Sequence, residues 1–211
     1  MVTPITTAVR ATATGMSSKA GALGALSVLV ALVLVASGCG TGSTNAQKAT
    51  SKAGSFAWLS AGSAPATWTA PGALAGGSLP RPPGWQAARG DRGSVSFVER
   101  RDGAIVGYLN ATPRSGAETL ANWQRFRVAH NGEEGDRDVT RISGMTGLAV
   151  NSSHVSCVKD SYRTSLSPYV ELACLVVRPR ASTVVLGASP PTDWGRQRAV
   201  IQRAIAGFVA S

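Results

Sequence analysis

The 211 residues carry a formal charge of +10, a hydrophobic fraction of 44% and a charged fraction of only 15%. That apolar content excludes a disordered chain and allows one ordinary folded domain with additional segments. The basicity does not point to nucleic acid: from Leu79 onward 16 Arg and one Lys face all 11 acids, an excess of +6 that is spread out. It concentrates only at Arg100-Arg101 and at Arg196, Arg198 and Arg203, where a nucleic-acid binder would show a basic stripe interleaved with aromatics. A basic face near anionic lipid or wall polymer fits better.

At the N-terminus, about nineteen uncharged residues run from Ala20 to Gly38 behind Lys19, the order of a basic n-region and an apolar h-region. By length alone the run could also span a bilayer. Its end distinguishes the two, because Ala36-Ser37-Gly38-Cys39 resembles the bacterial lipobox, with Ala36 where Leu is more usual. The resemblance implies diacylglycerol thioether-linked to Cys39, cleavage between Gly38 and Cys39, and acylation of the freed amine. Each buried methylene contributes about 0.8 kcal/mol, so two or three acyl chains anchor durably. The other reading is an uncleaved signal anchor; both place the rest of the chain outside the cytoplasmic membrane. Met16 offers an alternative start that leaves a leader of 23 residues before Cys39. The preference for Arg over Lys, with heavy Ala, Gly, Val and Thr usage, is the habit of a high-G+C bacterium.

Residues 1–38 thus read as signal peptide, 39–78 as a lipidated cysteine with a Gly/Ser/Ala-rich tether, and 79–211 as the globular domain. As a flexible chain the tether would reach on the order of 35 Å. Phe56, Trp58, Leu59 and Trp68 are out of place in a linker: either they dock back onto the domain, or they contact a membrane surface or a partner.

From Leu79 the pattern becomes regular. Val95, Phe97 and Glu99 alternate ahead of Asp102-Gly103, and Ile105, Val106, Tyr108 and Leu109 follow, which predicts a hairpin of strands near 94–100 and 104–112. After Pro113 the spacing of Leu120, Trp123, Phe126 and His130 predicts a helix capped by Ser115 and ended by Asn131-Gly132. His130 reads as a partly buried histidine at the core edge. The acidic stretch that follows reads as a solvated loop in which Glu133, Glu134 and Asp136 offer weak cation ligands. Residues 138–189 read as three or four strands, with apolar residues at both parities from Leu172 to Val177, as in a sheet covered on both faces. A final helix is capped by Thr192 and carries one stripe of Trp194, Ile201, Ala204, Ile205 and Phe208.

Cys157 and Cys174 form an even pair in an oxidising compartment. A hairpin centred between Ser165 and Leu166 sets them directly opposite each other, with Tyr162 facing Tyr169, and predicts a cross-strand disulfide. Two free thiols are the alternative. The same register opposes Asp160 and Glu171, an unfavourable pair. Three resolutions are open: a basic side chain such as Arg163 intervenes, a bulge shifts the register, or the two carboxylates hold a cation.

No catalytic residue, resident metal or cofactor is assigned. The two histidines, His130 and His154, accompany no GxSxG elbow, HExxH, Walker loop or GxGxxG. Asn110-Ala-Thr112 and Asn151-Ser-Ser153 match glycosylation sequons by chance if the host is bacterial. Pro83-Gly84-Trp85 ahead of the first hairpin, a helix with Leu120 and Trp123 after it, the antiparallel strand series and a terminal helix from Trp194 to Phe208 together resemble the PsbP-like sandwich family. Within that family the likeness is to LpqN/LpqT-type actinobacterial lipoproteins. It implies an α+β fold, an α/β/α sandwich around a mainly antiparallel sheet, used for binding or scaffolding rather than catalysis. The expectation is a lipid-anchored protein on the outer face of the cell membrane that binds an envelope protein or wall glycan. A hydrolase of envelope lipids or esters, and a small-ligand carrier, are the alternatives.

Overall fold

The computed structural model describes residues 55–68 and 71–211; the leader, Gly38, Cys39 and the first part of the tether lie outside them. In chain order, a 3-10 turn (Ala57–Ala61) precedes β1 (Gly72–Leu74), β2 (Gly77–Leu79), β3 (Gln86–Ala88), β4 (Val95–Arg101) and β5 (Ala104–Pro113). Then come α1 (Trp123–Glu133), β6 (Arg137–Val150), β7 (Ser153–Arg163), β8 (Pro168–Arg178), β9 (Ala181–Ser189) and α2 (Pro191–Ala210). β1 and β2 form a small hairpin of their own, and the other seven strands build one antiparallel sheet in the order β3-β4-β5-β9-β8-β7-β6. With α1 on one face and α2 on the other, the architecture is the α/β/α sandwich that the sequence implies.

The local chemistry accounts for the strand pairs. Asp102 and Gly103 both have positive φ, 50° and 81°, as a two-residue type I′ turn requires, and β4 pairs with β5 from Arg101–Ala104 to Val95–Ala111. β8 is buried at six consecutive positions from Glu171 to Val176. Leu172, Cys174 and Val176 face α2, while Ala173 and Leu175 face α1. The outer strand β6 breaks register with β7 in three places, which makes a long exposed edge a poor template for pairing with another chain.

α2 buries Ile201, Ala204, Ile205 and Phe208 completely, and each of the larger side chains contributes about 1.5–3 kcal/mol. A Cβ at Gly187 would lie 2.5 Å from Ile201 Cγ2, so glycine there sets how closely the helix approaches the sheet. The N-cap of α2 is Pro190 with Pro191 at the first helical position, not Thr192; proline fits there because its missing N–H is not needed. α1 likewise begins at Trp123 rather than at Ser115 and runs to Glu133, past Asn131-Gly132. Upstream of it, Glu118 Oε1 accepts the Ser115 N–H at 3.3 Å and Asn122 Oδ1 accepts the Thr119 N–H at 2.6 Å. Such local side-chain bonds compete with helix.

The folded unit also begins earlier than Leu79. Phe56 and Leu59, within the span read as tether, are 2% and 1% exposed in the α2-side core, with Trp58 and Trp68 packed against it. Composition misses this because Gly, Ser and Ala around a few large side chains can still bury those side chains. Arg178 fastens the extension: its guanidinium donates to the carbonyls of Gly76, Phe208 and Val209 and to Ser153 Oγ, and lies 5.0 Å above the Phe208 ring centroid. One side chain thereby joins the β1–β2 hairpin, β7 and the C-terminal end of α2, where a cation also complements the helix dipole.

Candidate functional site

Where the extension, the Pro82-Pro83-Gly84-Trp85 turn, β4 and the first half of α2 meet, they enclose a cleft of about 280 Å³. Trp68, Pro82, Pro83, Trp85 and Val200 supply its apolar walls, and Glu99, Arg196 and Gln197 its polar groups. Trp85 is seated against β5: a Cβ at Gly107 would meet its Cη2 at 2.7 Å and its Cζ2 at 2.8 Å, so the indole occupies the space that glycine vacates. Gln197, 2% exposed, donates from Nε2 to Glu99 Oε2. The charges continue outward in alternation. Arg101 lies 3.8 Å from Glu99 and donates to Asp193 at 2.8 Å, and Arg196 donates to the same Asp193 oxygen. The hydrogen bond from Arg101, more than any other contact, holds the Asp193 carboxyl below its ordinary value.

The opposite face of the sheet holds a buried polar cluster beneath α1. The predicted register is observed, with Cys157 opposite Cys174, Tyr162 opposite Tyr169 and Asp160 opposite Glu171. The two cysteines are disulfide-bonded, with Cα atoms 4.1 Å apart. A basic side chain does answer the acidic pair, but it is Arg127 of α1 and not Arg163. Arg127 grips Glu171 through Nε and Nη2 at 2.7 and 2.9 Å, whereas Arg163 reaches Asp138 at 3.6 Å. Sequence alone cannot show that a helix residue more than thirty positions upstream lands on this hairpin. Burial works against the Arg127 charge, yet the Glu171 carboxylate outweighs it and holds the guanidinium above its ordinary range.

Asp160 is left over. It accepts only a 3.5 Å bond from Asn131 Nδ2, and Asp160 Oδ1 and Asn131 Oδ1 are buried without partners among the described residues. Burial, with the Glu171 charge second, pushes the Asp160 carboxyl up to about 8. Protonation answers both deficits: it removes the uncompensated charge and supplies a donor next to the orphaned amide oxygen. This cluster pins α1 to the sheet.

The remaining sequence candidates are apart from the cleft. His130 is half-exposed on α1, stacked on Phe126 at 5.7 Å and 3.3 Å from Glu134; that contact raises the imidazole and lowers the carboxyl. Glu133 also lies against His130, at 3.8 Å, so two of the three acids read as weak cation ligands have a histidine partner instead. His154 is exposed on β7. Gly38 and Cys39 lie outside the described residues. Among the described residues no helix is long and apolar enough to cross a membrane. The sequence marked Trp85 and flagged Trp68 as misplaced in a linker, but nothing in it linked them to Glu99, Arg196 and Gln197.

No family model and no curated protein matches the chain. Among solved structures, PA94, a protein of unknown function from Pseudomonas aeruginosa, is 13% identical over 66% of this chain and 95% of its own, with a TM-score of 0.46. A mutant of Mog1 is 12% identical over 63% of this chain and 84% of its own, TM-score 0.40. LpqN of Mycobacterium tuberculosis, involved in cell envelope biogenesis, is 13% identical over 63% of this chain and 79% of its own, TM-score 0.38. At these values the likenesses transfer no residue role to this chain.

Proposed function

We propose that this chain is a lipid-anchored cell-envelope protein of the LpqN/LpqT type, whose domain binds an envelope protein or glycan without catalysis. The cleft between Trp68 and Trp85 is its binding site. The anchor rests on the lipobox resemblance at Cys39, and the type on the PsbP-like sequence resemblance. The observation that carries the binding role is the cleft itself: two indoles and two prolines beside a preset carboxylate and amide are the mixed lining of a ligand site.

The docked extension shortens the leash. Fifteen residues separate Cys39 from Ser55, so at about 3.3–3.6 Å per residue the domain stands no more than roughly 60 Å from its lipid. A partner must therefore lie close to the membrane.

Two measurements test this reading. Intact-mass spectrometry of protein from its native host should show diacylglycerol on Cys39, lost in Cys39→Ser. In cells, a photocrosslinking amino acid at Pro83, on the cleft wall, should capture a defined envelope component that the same group at Arg125, on the α1 side, does not. Equal capture from both positions overturns the assignment of the cleft. Labelling of the purified protein by a serine-hydrolase probe would replace the binding role with the hydrolase one.

A further inference from the structure

The two ends of the sheet differ in charge. One end, where β5 stops at Pro113 and β9 begins at Ala181, carries Arg89, Arg92, Arg114 and Arg180 exposed to solvent and Arg178 half-buried. None of the five enters an ion pair among the described residues. Of the 11 acids of the chain, only Asp91 and the buried Glu118 belong to this end; the acids that do form ion pairs lie towards the opposite one.

Three of these arginines converge. Arg114, Arg178 and Arg180, with Pro179, Ala181 and Ser182, line an open hollow of about 310 Å³. The Arg114 backbone is fixed there, its N–H donating to the Ser182 carbonyl at 2.9 Å. Arg178 gives its hydrogen bonds to three carbonyls and one hydroxyl, all neutral, and burial with no carboxylate to oppose it lowers the guanidinium. Arg127 in the other cluster has Glu171; Arg178 has no such partner. An anion in the hollow would supply the missing charge and relieve the repulsion among three like charges.

The tether narrows the anion. No acid occurs between Cys39 and Asp91, while Lys48 and Lys52 lie in the tether. The extension that follows crosses the same basic end: a Cβ on Gly207, in the last turn of α2, would meet Ala64 Cβ at 2.9 Å, and Arg178 holds two carbonyls of that turn. A leash of no more than roughly 60 Å keeps this end within reach of a bilayer, whose phosphodiesters are anions arrayed over a plane. A single soluble anion would fill the hollow and leave Arg89 and Arg92 unanswered.

We infer that the basic end of the sheet seats on the phosphodiester headgroups of an anionic phospholipid bilayer, with one phosphate in the hollow between Arg114, Arg178 and Arg180. The choice of a membrane rests on the anchored reading proposed above; the hollow does not. Seated so, the domain keeps the cleft, on the N-terminal half of α2, clear of the headgroups and open to a partner.

The test uses protein from its native host, added to vesicles of phosphatidylcholine alone or of an equal mixture with phosphatidylglycerol. Arginine labelling by a dicarbonyl reagent is then read by peptide mass spectrometry. On the mixed vesicles Arg114 and Arg180 should label about fivefold more slowly, the worth of one basic side chain at an anionic surface, while Arg137 at the other end of the sheet keeps its rate. Protection should disappear at about 1 M salt, where the screening length falls to about 3 Å. Arg180→Glu changes an exposed side chain that joins no hydrogen bond among the described residues, and it should return Arg114 to its rate on neutral vesicles. Equal labelling on both vesicles, equal protection of Arg137, or Arg114 protection that survives Arg180→Glu overturns the inference. Equal protection by soluble glycerol phosphate on neutral vesicles would keep the anion site and overturn the membrane as its occupant. Protein that leaves neutral vesicles yet is protected on mixed ones refutes the anchor and keeps the basic seat; protein held by neutral vesicles but unprotected on mixed ones does the reverse.

Discussion

Replacing Arg127 by Met removes, among the described residues, the cation that grips Glu171, the buried carboxylate facing Asp160 across β7 and β8. Arg127 and Glu171 side chains are 12% and 1% exposed, so water cannot take over the missing charge. Breaking one partner of such a buried pair costs about 3–5 kcal/mol, and the two charge-assisted hydrogen bonds lost, at roughly 1.5–3 kcal/mol each, give the same figure. Against a total stability of about 5–15 kcal/mol this is a large fraction, and it corresponds to a fall in melting temperature of roughly 6–20 °C for a domain of this size. Urea unfolding followed by tryptophan fluorescence should show a lower midpoint at an unchanged slope. Glu171→Gln added to Arg127→Met should restore most of the loss, since the damage lies in the uncompensated carboxylate rather than in the missing arginine stem. A single-variant cost under about 1 kcal/mol, or no recovery in the double variant, would refute this account of the cluster.

The same cluster sets a pH dependence. With Asp160 held at about 8 in the folded state, from an ordinary 3.8, the native protein binds an extra proton between those values, so its contribution is complete below pH 3.8 and lost as pH rises towards 8. The slope approaches about 1.4 kcal/mol per pH unit at most; Asp160→Asn should flatten it, and an unaltered slope would show that another group titrates. Cys157→Ala with Cys174→Ala opens a bridge of sequence separation 17 and should cost about 3 kcal/mol in thermal unfolding, leaving the β-sheet circular dichroism unchanged; a stability equal to the parent's would mean the bridge restrains nothing. Gly107→Val should drive Trp85 from its seat, lowering stability by about 1–3 kcal/mol and shifting tryptophan emission to the red; unshifted emission contradicts the packing described. Arg178→Met strips donors from three backbone carbonyls and should cost about 1–3 kcal/mol, exposing the segment before β3 to limited proteolysis first; cleavage beginning in β6 instead would argue against Arg178 as its fastening.

Local pattern was sufficient for much of this molecule. Asp102-Gly103 specifies its turn because only residues tolerant of positive φ can close a two-residue hairpin there, and the doubly apolar run from Leu172 to Val177 requires cover on both faces. The disulfide register was legible because antiparallel pairing conserves the sum of residue numbers across a tight turn. Each of these depends on neighbours along the chain or across one hairpin. What tertiary structure decided is of another kind. Phe56 and Leu59 are core and not tether because α2, far downstream, offers them a surface. Arg127, not the nearby Arg163, neutralises Glu171 because α1 crosses that hairpin. The cleft joins Trp68, Trp85, Glu99 and Gln197 from four segments whose separation along the chain gives no sign that they meet, because burial of distant apolar surface, unlike a turn, leaves no fixed spacing in sequence.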